Sequence, residues 1–213
     1  MKKGKLLSIF VVLVYIFLFA PLVIIAMTSI GTENYIAFPP KGFSIKWFLN
    51  VFNSDSFMSS MGISFTISGI STLIALIIGV PAAYGLSRGS FKGKSALKSF
   101  FFSPLIVPGI VVGFSLFQFL IVKLGLPIYL SLFIGHTLVI VPYIIRVVGS
   151  SLEAVDYSIE EAAVSLGCTK VQSFFKVVIP NITSGIIASF MLAFINSFNN
   201  VPVSMFLTGP GVS

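Results

Sequence analysis

Apolar runs long enough to cross a lipid bilayer dominate this sequence. Hydrophobic residues make up 56% of the 213-residue chain and charged residues only 9%, and the mean hydropathy is +1.08. A soluble domain of this size cannot hide so much apolar surface from water, so the bilayer must be its solvent. A helix needs roughly 20 residues to cross a hydrocarbon core of about 30 Å. We place five such spans, at residues 6–30, 62–86, 100–122, 130–148 and 183–207.

Each apolar run is expected to form a helix, since backbone groups inside lipid must find hydrogen-bond partners within the protein. Strands of a β-barrel would instead be about ten residues of alternating character. The predicted fold is all-α, a polytopic transmembrane helical bundle in which residues 1–213 form a single transmembrane domain. The first run follows three lysines, as in a secretory signal, but it much exceeds the usual 7 to 15 apolar residues. We interpret it as a retained anchor.

Basic residues orient the bundle, because cytoplasmic loops of membrane proteins carry an excess of Lys and Arg. With the N-terminus in the cytoplasm, ten of the 13 basic residues lie inside and three outside. The inner ones are Lys2, Lys3, Lys5, Arg88, Lys92, Lys94, Lys98, Arg146, Lys170 and Lys176, and the outer ones are Lys41, Lys46 and Lys123. The net charge of +7 does not indicate nucleic-acid binding, because these residues flank apolar runs.

The loop at about 150–180, which this topology places in the cytoplasm, begins with a predicted short helix. Ser158 and Glu161 have the spacing of a capping box, so we expect a helix to start there. Apolar residues then recur at steps of three and four positions and predict one apolar stripe. The stripe consists of Ile159, Ala162, Ala163 and Leu166.

A bend and a second helix are predicted to follow. Gly167 suits the left-handed position that ends a helix. Thr169 and Gln172 repeat the capping-box spacing, and the apolar pattern beyond them predicts a helix that runs to Pro180. The expected loop is therefore helix, sharp glycine bend, helix.

Four of the six acidic residues gather at this loop: Glu153, Asp156, Glu160 and Glu161. Acids near a helix N-terminus complement its dipole, which explains part of the cluster. A helix of about eight residues is marginal in water, so something must cover its apolar stripe. Acids oppose contact with anionic lipid. The interpretation that we favour is a helix held out in the cytoplasm for a protein partner.

The stretch EAAVSLGCTKVQSFFKVVIP carries a family resemblance. It resembles the EAA loop of membrane subunits of binding-protein-dependent ABC importers, whose pattern is E-A-A, three residues, G, nine residues, I-x-L-P. The matching residues are Glu161, Ala162, Ala163, Gly167 and Pro180, with Val177 and Ile179 at the two aliphatic positions. The resemblance implies a type I importer permease of the bacterial inner membrane.

The same resemblance implies partners and a mechanism. The short helix would be the coupling helix, seated in a groove of an ATPase subunit, with Glu161, Ala162, Ala163, Leu166, Gly167 and Pro180 as the coupling residues. For Glu161, an internal role as the box partner of Ser158 stays open beside a direct ATPase contact. The expected partners are two ATP-binding subunits, a second permease subunit, an extracytoplasmic solute-binding protein and membrane lipid.

Three further stretches resemble the spermidine/putrescine branch of these permeases: FSIKWF, GKSALKSFFFSPLIVPGIVVGFSL and SFNNVPVSMFLTGPG. They point to a polyamine or related small amine as the solute. Two departures limit what the resemblance implies. Members of the family have six core spans and five are predicted here, so either the sequence is a fragment or the subunit is unusual; we favour a fragment, in which a final span follows the GPG turn at 209–211. Polyamine members often carry acids where this chain has Asn199 and Asn200.

Polar residues within the predicted spans are candidates for the translocation path. Asn196, Asn199 and Asn200 would share one face of the fifth span, next to Pro202. They either form hydrogen bonds between helices or face a water-filled path. His136 is expected to be a packed, hydrogen-bonded residue rather than a proton relay. Pro104, Pro108 and Pro142 are expected to kink their helices, and Ser44 to cap a short outer helix that ends at Phe52.

No enzymatic activity or bound cofactor is predicted for this chain. The stretch GSFKGKS at 89–95 resembles a phosphate-binding Walker A loop, but it has three residues between its glycines where that motif needs four. Cys168 is the only cysteine, so the sequence offers no cysteine metal cluster. ATP would then be hydrolysed by a separate subunit. The competing class is a secondary transporter or channel subunit driven by an ion gradient, which often shows internal repeats or charged residues within its spans.

Overall fold

The computed structural model describes residues 2–208, and the side chains of 5–208, as a series of helices. The α-helices are α1 (Lys2–Ser29), α2 (Lys46–Phe52), α3 (Asp55–Arg88), α4 (Lys94–Phe102), α5 (Gly109–Leu116), α6 (Ile128–Glu153), α7 (Ser158–Ser165), α8 (Lys170–Ser173), α9 (Ile179–Asn181), α10 (Thr183–Phe198) and α11 (Val201–Thr208). A 3₁₀ turn at Ser103–Leu105 follows α4, and π-helical segments at Phe117–Lys123 and Phe174–Val178 follow α5 and α8. The expected all-α fold is confirmed for this part of the chain.

The chain divides into two compact units, residues 1–61 and 62–213. In the first unit, α1 is apolar on all sides, and none of its most apolar 18-residue window is buried. A helix that is hydrophobic all round belongs in lipid or inside a larger assembly. The apolar surface of α1 therefore agrees with its predicted role as a membrane anchor.

The segment between α1 and α2 is folded rather than extended. The indole Nε1 of Trp47 donates to the Gly31 carbonyl at 3.1 Å, and Gly31 forms an antiparallel bridge with Phe43. The predicted short helix ending at Phe52 is present. Its first residue is Lys46, whose backbone N–H donates to the Ser44 hydroxyl at 3.1 Å.

In the second unit, α6 is the central helix. In α6, 56% of the most apolar 18-residue window is buried, whereas in α3 the buried share of the corresponding window is 39%. One apolar cluster joins α6 to α3, to the second π segment and to α10, and a second joins it to α3 and α11. Burial of this helix on several sides makes it the support for the elements around it.

Small residues allow the helices of the second unit to pack closely. A Cβ on Gly79 of α3 would lie 2.8 Å from the Ile144 side chain of α6, and one on Gly113 of α5 would lie 2.8 Å from the Pro202 carbonyl of α11. Ser71 of α3 donates through its hydroxyl to the Phe133 carbonyl of α6 at 3.3 Å. Glycine and serine at helix contacts are typical of bundles in membranes.

Two of the five predicted spans are not single straight helices. The third, 100–122, is broken between the 3₁₀ turn and α5, and the axes of the two halves differ by 99°. Pro108 lies at the break, and it explains the break because proline lacks an N–H and disfavours helical geometry in the residue before it; Pro104 lies within the 3₁₀ turn. Pro142, in contrast, lies within the continuous helix α6.

The fifth predicted span, 183–207, is interrupted at Asn199 and Asn200, which separate α10 from α11. Pro202 is the second residue of α11 and cannot donate the backbone hydrogen bond that would continue α10. Within residues 2–208, α1, α3 and α6 are long and apolar enough to cross a membrane. The number rises to five if two bent helix pairs each count as one span: Lys94–Leu105 with Gly109–Lys123, bent by 99°, and Lys170–Asn181 with Thr183–Phe198, bent by 74°. The GPG turn and the expected final span lie outside the described residues.

Candidate functional site

The predicted docking helix is α7, but its start differs from the prediction. The predicted capping box between Ser158 and Glu161 is wrong. The N-cap residue is Tyr157 and not Ser158, and its side chain forms no capping hydrogen bond. The carboxylate of Asp156 instead accepts a hydrogen bond from the Ser158 backbone N–H at 2.9 Å. This bond and one from the Ser158 side chain lower the pKa of Asp156 below its usual value.

The bend after α7 agrees with the prediction. Gly167 has a φ of +97°, in the left-handed region. Its N–H donates to the Val164 carbonyl at 3.0 Å, and the N–H of Cys168 donates to the Ala163 carbonyl at 3.1 Å. Together these bonds form a Schellman motif, which closes a helix and reverses the chain. The bend is therefore held by backbone bonds that need the left-handed residue.

The capping box at the start of α8 is confirmed in both directions. The Gln172 backbone N–H donates to the Thr169 hydroxyl at 3.2 Å, and the Thr169 backbone N–H donates to the Gln172 side-chain oxygen at 2.9 Å. The helix that begins there runs to Pro180, as predicted, since the backbone is helical from Lys170 to Asn181. Its hydrogen bonding changes to the π pattern at Phe174–Val178, and exposed Pro180 lies in the short α9 that follows.

The apolar stripe of α7 faces two ways. Ala163 is buried, whereas Ile159 and Leu166 are 45% and 88% exposed. Ala162 and Glu161 are also exposed. The outward face of α7 therefore combines apolar residues with a small alanine, which lets a partner surface approach the helix backbone closely. The buried side of the helix is the side that joins it to the rest of the protein.

Glu160, on the inner side of α7, is a buried and paired acid that the sequence did not set apart from the three other acids of the loop. Its side chain is only 7% exposed. The hydroxyl of Tyr84, near the end of α3, donates to one carboxylate oxygen, and the other oxygen lies 4.0 Å from Nε of Arg88. We call Tyr84, Arg88 and Glu160 the Glu160 clasp.

Arg88 extends the clasp to the end of α6. Its Nη2 donates to the Leu152 and Val155 carbonyls at 3.0 and 2.8 Å, and its guanidinium lies 5.0 Å from the ring centre of Tyr157. A cation at a helix C-terminus satisfies free carbonyls and complements the helix dipole. Arg88 therefore ties the ends of α3 and α6 to the start of α7.

A buried carboxylate is stable only when it is paired, and loss of one partner from a buried ion pair costs about 3–5 kcal/mol. No local pattern could reveal the pair, because Arg88 and Glu160 are far apart in the sequence. One signal was available: Tyr84 and Arg88 are four residues apart and so share a face at the end of a predicted span.

The three asparagines do not share one continuous helical face. Asn196, within α10, donates to the Leu192 carbonyl of its own helix at 2.8 Å. Asn200 accepts a hydrogen bond from the Val203 backbone N–H at 3.2 Å and so caps α11. Asn199, the C-cap of α10, is exposed. Of the two predicted alternatives, hydrogen bonds between helices are not what Asn196 and Asn200 form, since each bonds within its own half of the broken span.

His136 of α6 bridges the same break. Its imidazole Nδ1 lies 2.9 Å from the Ser197 hydroxyl of α10, and Nε2 lies 3.1 Å from the Ser204 hydroxyl of α11. The residue is buried and hydrogen-bonded, as predicted. Its two serine partners lie on either side of Asn199 and Asn200, so the histidine holds the two half-helices in place.

The stretch that resembles a Walker A loop forms a turn between α3 and α4. Lys94 points its ammonium at the chain itself, where it donates to the Gly89 and Ser87 carbonyls at 2.9 and 3.3 Å. A phosphate-binding loop would follow a β-strand and leave this lysine free for phosphate. The turn therefore does not have the geometry of a nucleotide site.

Comparison with known proteins identifies the family. A model of the family described as binding-protein-dependent transport system inner membrane component matches residues 75–213. The putrescine transport system permease protein PotI of Escherichia coli (strain K12) is 32% identical over 206 residues, which cover 93% of this chain and 73% of the relative. The spermidine/putrescine transport system permease protein PotC of Haemophilus influenzae is 30% identical over 210 residues, which cover 98% of this chain and 81% of the relative.

Solved structures show the same fold. A bacterial ABC transporter involved in the import of the acidic polysaccharide alginate matches with a TM-score of 0.71 and 21% identity, over 92% of this chain and 71% of that one. The MetNI methionine ABC transporter, in inward-facing conformations, matches with a TM-score of 0.57 and 22% identity. The match covers 68% of this chain and 73% of that one. This chain belongs to the family of inner membrane components of binding-protein-dependent transport systems, and is a multi-pass transport permease with the fold of ABC importers.

Proposed function

We propose that α7 is the docking helix through which a separate ATP-binding subunit drives this permease. The observation that carries the proposal is the two-sided construction of α7. Its outward face exposes Ile159, Ala162 and Leu166, while Glu160 on the opposite side is fixed to α3. A short helix with one side anchored and an apolar side free is suited to seat in a partner's groove.

The complete importer would contain two ATP-binding subunits, a second permease subunit and an extracytoplasmic solute-binding protein. Residues 1–213 act in it as one transmembrane domain, with the coupling loop at about 150–180 on the cytoplasmic side, where the N-terminus also lies. ATP binding draws the two ATPase subunits together, and α7 moves with the subunit that holds it. The spans then alternate between an outward-open and an inward-open path.

The interruption between α10 and α11 is the proposed part of the translocation path. Broken helices in transporters expose backbone groups and polar side chains to a solute at mid-membrane. Asn199 offers an exposed amide at this break, and Asn196 and Asn200 lie beside it. Neutral amides can bind a polar solute through hydrogen bonds without the cost of an unpaired charge within the membrane.

A polyamine or related small amine is the proposed solute, because the relatives named above are putrescine and spermidine/putrescine permeases. The fold does not choose the solute, since an importer of an acidic polysaccharide shares it. Selectivity would come mainly from the binding protein. Putrescine or spermidine bound by that protein would support the amine, and failure to bind either would remove it while leaving the docking role intact.

Crosslinking tests the docking role directly. Cys168 lies in the same loop, so the background is Cys168→Ser, and Ala162→Cys then places a single thiol on the outward face of α7. We expect a short crosslinker to join this thiol to the ATP-binding subunit in the assembled complex. Tyr129→Cys, at the start of α6 on the opposite side of the membrane, is the matched control. Crosslinks from position 162 to lipid alone would contradict the proposal.

A further inference from the structure

The connections of α7 to the membrane helices carry an inference about how force is transmitted. In the chain, α7 is joined to α6 by the turn at 154–157 and to α8 by the bend at Gly167. Both joints are sharp turns at the ends of a helix of eight residues. These main-chain connections hold α7 at its two ends only, so a contact from the helix body would add a third and separate connection to the membrane helices.

The Glu160 clasp supplies that contact. Glu160 is within the helix body, and its carboxylate meets Tyr84 and Arg88 at the end of α3. The Tyr84 ring also packs edge-on against Phe174, with ring centres 4.8 Å apart, so the clasp reaches the π segment beyond the bend. Through the carbonyls of Leu152 and Val155 it holds the end of α6 as well.

Two atoms of the clasp are buried without a hydrogen bond. They are Nε of Arg88 and one carboxylate oxygen of Glu160, which face each other at 4.0 Å. A charge-assisted hydrogen bond between such groups is about 2.7–2.9 Å long. At 4.0 Å the two groups form an ion pair without a hydrogen bond, so on this side the carboxylate is held by charge attraction and on the other by the Tyr84 hydroxyl.

We propose that the Glu160 clasp is the connection that carries movement of α7 to α3 and α6, with Tyr84, Arg88 and Glu160 as positioning residues for transport. This inference rests on the proposed docking of α7. The clasp residues contact neither the solute nor, on their buried side, the ATP-binding subunit. Their role is to convert a shift of the docked helix into a shift of two membrane helices.

The test uses the assembled importer with its binding protein, and two substitutions that remove clasp bonds without removing bulk. Tyr84→Phe removes one oxygen and keeps the ring against Phe174, and Glu160→Gln keeps the shape but removes the charge. Tyr129→Phe and Glu153→Gln are matched controls, because both residues are exposed and lie outside the clasp. The readout is ATP hydrolysis with the binding protein divided by hydrolysis without it, together with retention of the ATP-binding subunit.

We expect both clasp variants to retain the ATP-binding subunit and basal hydrolysis, while stimulation by the binding protein falls on the order of fivefold or more. The double variant should lose no more than the larger single effect, since the two residues act as one unit. The controls should match the unmodified protein. If Glu160→Gln fails to fold, Tyr84→Phe alone decides the question.

Unchanged stimulation in Tyr84→Phe overturns the inference and leaves docking intact. So does an equal loss of basal and stimulated hydrolysis, since a merely structural contact would lower both together. If the unmodified chain neither retains the ATP-binding subunit nor shows stimulation, the proposed function fails, and the inference fails with it.

Discussion

Substitution of Gly167 tests whether the left-handed bend after α7 is needed for transport. A Cβ at this position would meet no atom within 4 Å, so the cost of a side chain is conformational and not steric. At φ = +97° a residue with a Cβ costs about 1–2 kcal/mol relative to glycine. That cost shifts the equilibrium between bent and unbent chain roughly five- to thirtyfold. Asparagine tolerates the left-handed region better than alanine does.

The expected order of transport is therefore glycine, then asparagine, then alanine, then valine, although asparagine is larger than alanine. The assay is ATP-dependent solute uptake into proteoliposomes, with hydrogen exchange of the Gly167 and Cys168 amides as a direct measure of the bend. Gly125, also left-handed at φ = +63° but in the turn before α6, is the matched control for a substitution to alanine. An activity order that follows side-chain volume, or full uptake with Gly167→Val, would refute the reasoning.

Three other substitutions test separate parts of the structure. Gly79→Ala should lower the free energy of unfolding of the purified protein by about 1–3 kcal/mol, because the added Cβ would lie 2.8 Å from the Ile144 side chain. Gly85→Ala is the control, since a Cβ there would meet no atom within 4 Å. Asn199→Leu should reduce uptake with unchanged stability, and intact uptake would remove this residue from the path. The protection of the Ser158 amide, measured as the intrinsic exchange rate at each pH divided by the observed rate, should fall as pH falls through the lowered pKa of Asp156, since protonation ends a cap that is fully formed above the ordinary carboxyl pKa. An Asp156→Asn variant should lose this pH dependence of protection, and protection that does not change with pH in the unmodified protein would contradict the cap.

The bend and the second capping box could be predicted from the sequence because each depends on residues no more than five positions apart. Gly167 has a conformation that few other residues adopt, and Thr169 and Gln172 satisfy each other's backbone groups. The start of α7 was predicted wrongly, although the residues that form it are also close together in the sequence. Asp156 and Ser158 are both good capping residues and lie two positions apart. In the structure it is the carboxylate of Asp156 that accepts the hydrogen bond at this turn.

The breaks in the third and fifth predicted spans show that an apolar run in the sequence does not reveal whether its helix is continuous. Window hydropathy reports whether a segment prefers lipid, and both segments do, so the run of apolar residues continues across each break. Pro108 and Pro202 marked the positions where helical hydrogen bonding stops. Whether a proline bends a helix or ends it depends on the neighbouring packing, and Pro142 shows the opposite outcome inside α6.

The Glu160 clasp could not be predicted, because its partners lie in different helices and meet only in the folded protein. An acid beside three other acids in a loop has the composition of a solvated surface. The structure shows instead that one of the four is buried and paired, while Glu161 next to it is exposed. Neighbouring glutamates on a short helix thus face opposite sides and have different proposed roles.

The most direct test of the central claim is the energy source for uptake. The account predicts that proteoliposomes with the assembled complex import putrescine only with ATP on the side of the ATP-binding subunits and binding protein on the other side. Uptake should continue after ionophores have collapsed the ion gradients. Uptake that proceeds without ATP and stops when an ion gradient is removed would contradict it.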